Sequence, residues 1–193
     1  MKYLAIAAGY LLGSVPFGFL VSKYMKGINI LEHGSGNIGF TNVLRTLGWK
    51  PAALVLAGDV GKGALAAWLG LKTGGEFFGI LSGMAALMGH SFSIFLRFRG
   101  GKLVAAGFGV LLVLATETAL TALAVWLAVV ALTRYVSLAS ILAGLSVPAA
   151  VFFFRESMAV RVFGIVAAAF VIYRHRSNIE RLAKGKEPKI GNK

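Results

Sequence analysis

The chain has 193 residues, is 58% hydrophobic and only 14% charged, and has a mean hydropathy of +0.79. A soluble domain of this size cannot hide so much apolar surface from water, so the composition implies a polytopic membrane protein folded as a single domain over residues 1–193. The formal charge of +13 does not point to nucleic acid, because the cations flank apolar segments, where topology and anionic lipid account for them; the lack of cysteine excludes disulfides, thiolate catalysis and Cys-based metal sites.

A helix crossing the hydrocarbon core needs about 20 apolar residues. The first such segment runs from about Tyr3 to Val21 and reads as a retained helix, kinked at Pro16, because a strong basic start and a small-x-small cleavage site are missing. The second, Pro51 to Leu71, carries Asp59 and Lys62, and the third, Phe77 to Leu96, contains Gly89-His90. The stretch from Leu103 to Leu132 is too long for one crossing. Glu117 divides it into a short fourth helix ending at Ala115 and a fifth from Thr118 to Leu132. The sixth runs from Tyr135 to Phe154 and the seventh from Met158 to Tyr173, followed by a basic tail over 183–193. The predicted fold is therefore all-α, with seven transmembrane helices.

Charge tests the count. Seven crossings put fifteen cations on one side (Lys23, Lys26, Arg45, Lys50, Arg97, Arg99, Lys102, Arg134, Arg174, Arg176, Arg181, Lys184, Lys186, Lys189 and Lys193) and four on the other (Lys2, Lys72, Arg155 and Arg161). Cationic loops stay in the cytoplasm, which predicts an outer N-terminus and a cytoplasmic C-terminus.

Three polar blocks then share the cytoplasmic face. In Gly34 to Asn42, three glycines permit close backbone approach, and successive N–H groups with Ser35, Asn37, Thr41 and Asn42 offer an anion nest. Arg45 lies one helical turn past Thr41 and can add a bidentate fork to a phosphate. This is not a Walker loop, because its spacing is absent. In Arg97 to Lys102, Gly100-Gly101-Lys102 opens the fourth helix, where unpaired N–H groups and partial positive charge attract phosphate. In Arg174 to Asn178, His175 and Asn178 stand three residues apart, on one face if the helix continues. Each block has a plainer reading: a capped interhelical loop, charges that only set topology, and a solvated helix end. Within the second segment, Asp59 and Lys62 can pair with each other, or Asp59 can orient Lys102 or Arg45. His90 reads as a packing or shallow pocket residue; with Ile94 four residues on, it has no acidic partner at the His-x4-Asp spacing.

Gly34-Ser35-Gly36-Asn37-Ile38-Gly39-x-Thr41-Asn42, Gly100-Gly101-Lys102 and Tyr173-Arg174-His175-Arg176-x-Asn178-Ile179-x-Arg181-Leu182 together resemble the bacterial acyl-phosphate:glycerol-3-phosphate acyltransferases of the PlsY type. Gly13-Ser14-Val15-Pro16-Phe17-Gly18, Asp59-x-x-Lys62-Gly63 and Gly89-His90 extend the resemblance over nearly the whole chain. It implies a multi-pass enzyme of the bacterial inner membrane, with a cytoplasmic site, that moves an acyl group from acyl phosphate to the 1-hydroxyl of glycerol 3-phosphate. The products are lysophosphatidic acid and phosphate, and neither a cofactor nor a metal is implied. It also implies contact with membrane lipids and with the enzyme that supplies acyl phosphate. Site roles carry over to Ser35, Gly36, Asn37, Thr41, Asn42 and Arg45 for phosphate binding, to Gly100, Gly101 and Lys102 for glycerol 3-phosphate, and to Lys102, His175 and Asn178 for catalysis. The hydroxyl proton goes either to His175 or to a substrate phosphate oxygen. Three positions depart from the family pattern: Leu103 for glycine, Ala106 for threonine and Phe40 for alanine. Leu103 and Phe40 are expected to add bulk near the ligand and Ala106 to remove a hydroxyl. The rival readings are a phosphate-ester transporter, against which the lack of an internal repeat counts, and a catalytically silent lipid binder.

Overall fold

The computed structural model describes residues 1–191, so Lys193, one of the fifteen cations and the end of the basic tail, lies outside the described residues. The described residues form helices, short turns and loops with one isolated β-bridge, in two compact units, Met1–Leu114 and Ala115–Lys193.

In the first unit, α1 (Lys2–Ser14) and α2 (Phe17–Lys26) are separated by a break at Val15-Pro16, as the proline predicts. The short α3 (Phe40–Leu47) leads into α4 (Trp49–Ser91), and α5 (Val104–Leu114) closes the unit. The expected second and third helices are the two limbs of α4, interrupted at Gly75 with φ 77° and ψ −171°, a conformation a side chain resists. Small residues let the helices approach closely. A Cβ on Gly13 would overlap the backbone of Ala86, and one on Gly63 would overlap the carbonyl of Ala106.

The second unit consists of α6 (Thr116–Thr133), α7 (Val136–Phe153), α8 (Met158–Arg174) and α9 (Arg176–Ala183). Trp126 Nε1 donates to Ser140 Oγ at 3.2 Å between α6 and α7. The break between α5 and α6 falls at Ala115, with Glu117 in the first turn of α6, where an acidic residue suits the helix dipole.

Two expectations are corrected. By length and apolarity, four helical segments among the described residues can cross a membrane, or five if the bent α8–α9 pair is one span, rather than seven. The shortfall arises because α4 counts once and because α5, with 11 residues, is shorter than a crossing needs. The third segment stops at Ser91 instead of Leu96. There Tyr10 Oη donates to the Phe92 carbonyl at 2.9 Å and Ser93 Oγ to the Ser14 carbonyl, so side chains replace the helical ladder. The seventh segment ends where expected, as α8 stops at Arg174, and the chain bends by 57° into α9, so the third block lies on a bend rather than on a continuing helix.

Candidate functional site

The first block is built by its own side chains. Ile30, Ile38, Val43, Ala52 and Val55 form a buried cluster beneath it, and Phe40 packs against that cluster. Phe40 is thus the first residue of α3 and a packing residue, not bulk in the loop. Gly34 and Gly36 take left-handed backbone at φ 58° and 68°. Asn42 is buried and organises the turn. Its Nδ2 donates to the carbonyls of His33 (3.0 Å) and Asn37 (2.9 Å), and its Oδ1 accepts from Ser35 N at 2.9 Å. Gly36 N–H goes to the His33 carbonyl at 3.0 Å and Gly39 N–H to Asn37 Oδ1 at 2.9 Å.

The expected nest of backbone donors is therefore largely closed upon itself at Ser35, Gly36 and Gly39. The block presents side chains: Ser35 and Arg45 are exposed, and Asn37 and Thr41 are half-buried. Asn42 reaches a ligand only through the loop it holds.

The second block is seated on the end of α4. Gly101 N–H donates to the His90 carbonyl at 2.9 Å, Ser91 Oγ reaches the Gly101 carbonyl at 3.4 Å, and Phe98 N–H donates to the Ser93 carbonyl at 2.8 Å. Arg97 and Phe98 turn the chain through left-handed backbone, and Arg97 and Arg99 are exposed, whereas Lys102 is half-buried. Leu103 also has positive φ, 70°, yet is only 1% exposed. Its side chain is therefore buried in the interior rather than presented to solvent. Ala106 is buried, and its carbonyl lies against Gly63.

The first two blocks meet. Asn37 Nδ2 donates to the Gly100 carbonyl at 3.4 Å, across 63 residues of sequence. Beneath this junction the predicted Asp59–Lys62 pair forms at 2.8 Å, and Lys62 Nζ also donates to the Val15 carbonyl at 2.8 Å, at the break between α1 and α2. Asp59 also faces His90 Nδ1 at 3.6 Å, so the pairing with Lys62 is the one of the two expected alternatives that forms, with His90 beside it in place of Lys102 or Arg45.

The third block lies in the second unit. His175 Nδ1 donates to the Val171 carbonyl at 2.8 Å, which in the neutral ring leaves Nε2 as the basic nitrogen. Asn178 Nδ2 donates to Glu187 Oε1 at 2.8 Å, and Arg181 Nε to Glu187 Oε2 at 2.7 Å. His175, Asn178 and Glu187 are all buried. Burial pushes the Glu187 carboxyl up, but the hydrogen bonds from Asn178 and Arg181, with the nearby Ser137 hydroxyl, outweigh it and hold the carboxyl below its usual range. Arg134 fastens the same tail, with Nη2 3.0 Å from the Ile190 carbonyl. Sequence reading missed Glu187. Its one signal was that it is the only acidic residue between Leu182 and the C-terminus.

A glycerol-3-phosphate acyltransferase family model matches residues 3–185. The glycerol-3-phosphate acyltransferase of Desulforudis audaxviator is 52% identical, over 97% of this chain and 94% of the relative, and that of Carboxydothermus hydrogenoformans is 46% identical, over 100% and 98%. The crystal structure of PlsY (YgiH), an integral membrane glycerol 3-phosphate acyltransferase, in its glycerol 3-phosphate form superposes with a TM-score of 0.94 at 39% identity, covering 98% of this chain and 96% of PlsY. Its lysophosphatidic acid form gives 0.92 at the same identity, covering 98% and 95%.

Proposed function

The chain belongs to the glycerol-3-phosphate acyltransferase family and has the fold of an integral membrane protein, and from that premise we propose that it acylates the 1-hydroxyl of glycerol 3-phosphate with acyl phosphate as donor. The observation that carries this reading is the junction of the first two blocks at Asn37 and Gly100, which gathers hydroxyl, amide and ammonium donors in one unit. Two phosphate-bearing substrates need such donors, because orientation and charge neutralisation supply most of the acceleration when the donor is already an activated mixed anhydride. The glycerol oxygen attacks the acyl carbon, the new ester C–O bond forms, the bond from acyl carbon to phosphate oxygen breaks, and phosphate leaves with the electron pair.

Ser35, Asn37, Thr41 and Arg45 are assigned to the phosphate of the donor, Gly36 to the turn that presents them, and Gly100, Gly101 and Lys102 to glycerol 3-phosphate. His175 and Asn178 are assigned to the hydroxyl and its proton. The Nε2 acceptor left by the His175–Val171 hydrogen bond favours His175 over a substrate oxygen as the base. The excess of cations beside the three blocks favours a cytoplasmic site and the bacterial inner membrane. The purified protein is assayed with palmitoyl phosphate and glycerol 3-phosphate, beside parallel arms with palmitoyl coenzyme A and palmitoyl carrier protein. Phosphate release with matching lysophosphatidate in the first arm alone is expected; absence of both products overturns the activity, and turnover in another arm overturns the donor.

A further inference from the structure

We propose that His90, held in orientation by Asp59, is a positioning residue that seats Gly100-Gly101 and thereby aims Lys102 at the phosphate of glycerol 3-phosphate, an inference that rests on the acyltransferase reading above. All the residues concerned lie in the first unit. Asp59 and Lys62 sit on the first limb of α4 and His90 at the end of the second. Their exposures are 1%, 5% and 3%, so the three polar groups occupy the apolar interior. Such groups are costly there and stabilise little on their own, and charges kept inside a membrane segment mark function more often than stability.

Lys62 is held from two sides, by Asp59 at 2.8 Å and by the Val15 carbonyl, whereas Asp59 Oδ1 and His90 Nδ1 face each other in the interior without a hydrogen bond between them. Asp59 Oδ1 approaches His90 Nδ1 to 3.6 Å, an electrostatic contact that biases the ring from the edge opposite the second block. The other edge abuts the second block. A Cβ on Gly101 would overlap His90 Nε2, and one on Gly100 would overlap the His90 carbonyl. Neither glycine has left-handed backbone, so neither is required by its dihedral angles. Both are required because the loop lies flat on His90 and Ser91. The Gly101 N–H goes to the His90 carbonyl, which makes this loop a seat for Lys102 rather than a nest of phosphate donors. A carboxylate that fixes an imidazole from behind, so that its far edge has one defined position, is a common orienting device.

The test is steady-state kinetics on the full chain. His90→Ala is expected to raise KM for glycerol 3-phosphate about tenfold, as loss of an orienting partner does elsewhere, with kcat within about twofold and KM for palmitoyl phosphate unchanged. His90→Gln, whose amide nitrogen can overlie Nε2, is expected to restore most of the loss. Asp59→Asn combined with Lys62→Met removes the buried charges without orphaning either one and leaves the imidazole in place. It is expected to raise the same KM, and it carries the test if His90→Ala does not fold. An unchanged KM in both, or a fall in kcat with KM intact, overturns the proposal while the wild-type rate still upholds the acyltransferase reading. Should the wild-type protein transfer no acyl group, that reading fails, and calorimetric affinity for glycerol 3-phosphate across the same variants then decides the seat: a tenfold loss supports it and no change overturns it.

Discussion

Leu103 combines two opposed contributions, and separating them gives a quantitative prediction. Its φ of 70° places a side-chain residue in the left-handed region, at a cost of about 1–2 kcal/mol. Its side chain is 1% exposed, and truncating a buried leucine to alanine costs about 2–5 kcal/mol. Leu103→Ala forfeits the packing and keeps the strain. Leu103→Gly forfeits the packing and relieves the strain. The glycine variant should therefore be the more stable of the two by about 1–2 kcal/mol, although glycine is the less stabilising residue in most ordered positions. Reversible unfolding in mixed micelles, read by tryptophan fluorescence for wild type and both variants, measures this difference directly. Equal stabilities, or an alanine variant more stable than the glycine variant, would refute the claim that position 103 stores backbone strain.

Asn42→Ala leaves the Ser35 N–H and the His33 and Asn37 carbonyls without their partner; a loss of about 1–3 kcal/mol for each group left buried and unsatisfied and a raised KM for acyl phosphate are expected, and Asn42→Asp, which keeps only the acceptor, should fall between wild type and alanine in the same unfolding and kinetic assays. Gly18→Ala puts a methyl group into the Ile38 carbonyl and should lower the unfolding midpoint and loosen the first block, which hydrogen exchange at residues 34–42 will report; unchanged exchange counts against the contact. The Glu187 carboxyl is held below its ordinary range, so its contribution to tail attachment is present above the unfolded glutamate value near pH 4.3 and is lost as pH falls through the lower folded value. Limited proteolysis of the tail should accelerate across that acid window, and Glu187→Gln should abolish the pH dependence.

Much of the helical framework could be read from the sequence because apolar runs, Pro16 and Glu117 act locally. The Gly75 break between Leu71 and Phe77 was placed on composition alone, whereas the early stop at Ser91 was invisible because it depends on Tyr10 and Ser14, more than 70 residues away. In the candidate site, the Asp59–Lys62 pair followed from helical spacing, but its third member, His90, is on the other limb of α4 and no periodicity links them. The polar residues of the first block are legible in the sequence, but their internal bonding is not: that Asn42 takes up the Ser35 N–H is a property of a closed loop. Leu103 and Phe40 departed from the expected pattern toward bulk. Both direct that bulk into packing, a choice set by local backbone geometry and the buried cluster rather than by residue type.

The contact between Asn37 and Gly100 has a consequence in time. A ribosome adding roughly 5–20 residues per second delivers Gly100 some 3–13 s after Asn37, given the 63 residues between them. A ten-residue loop closes in about 10–100 ns. The first loop therefore stands without that partner, in a growing membrane protein, for an interval roughly thirty million to a billion times longer than a loop of its size needs to close. A loop propped up by its late partner could not do this; one tied internally by Asn42 can. On this schedule the phosphate donors are arranged early, and the arrival of the second glycine block completes a half-site that has been waiting for it.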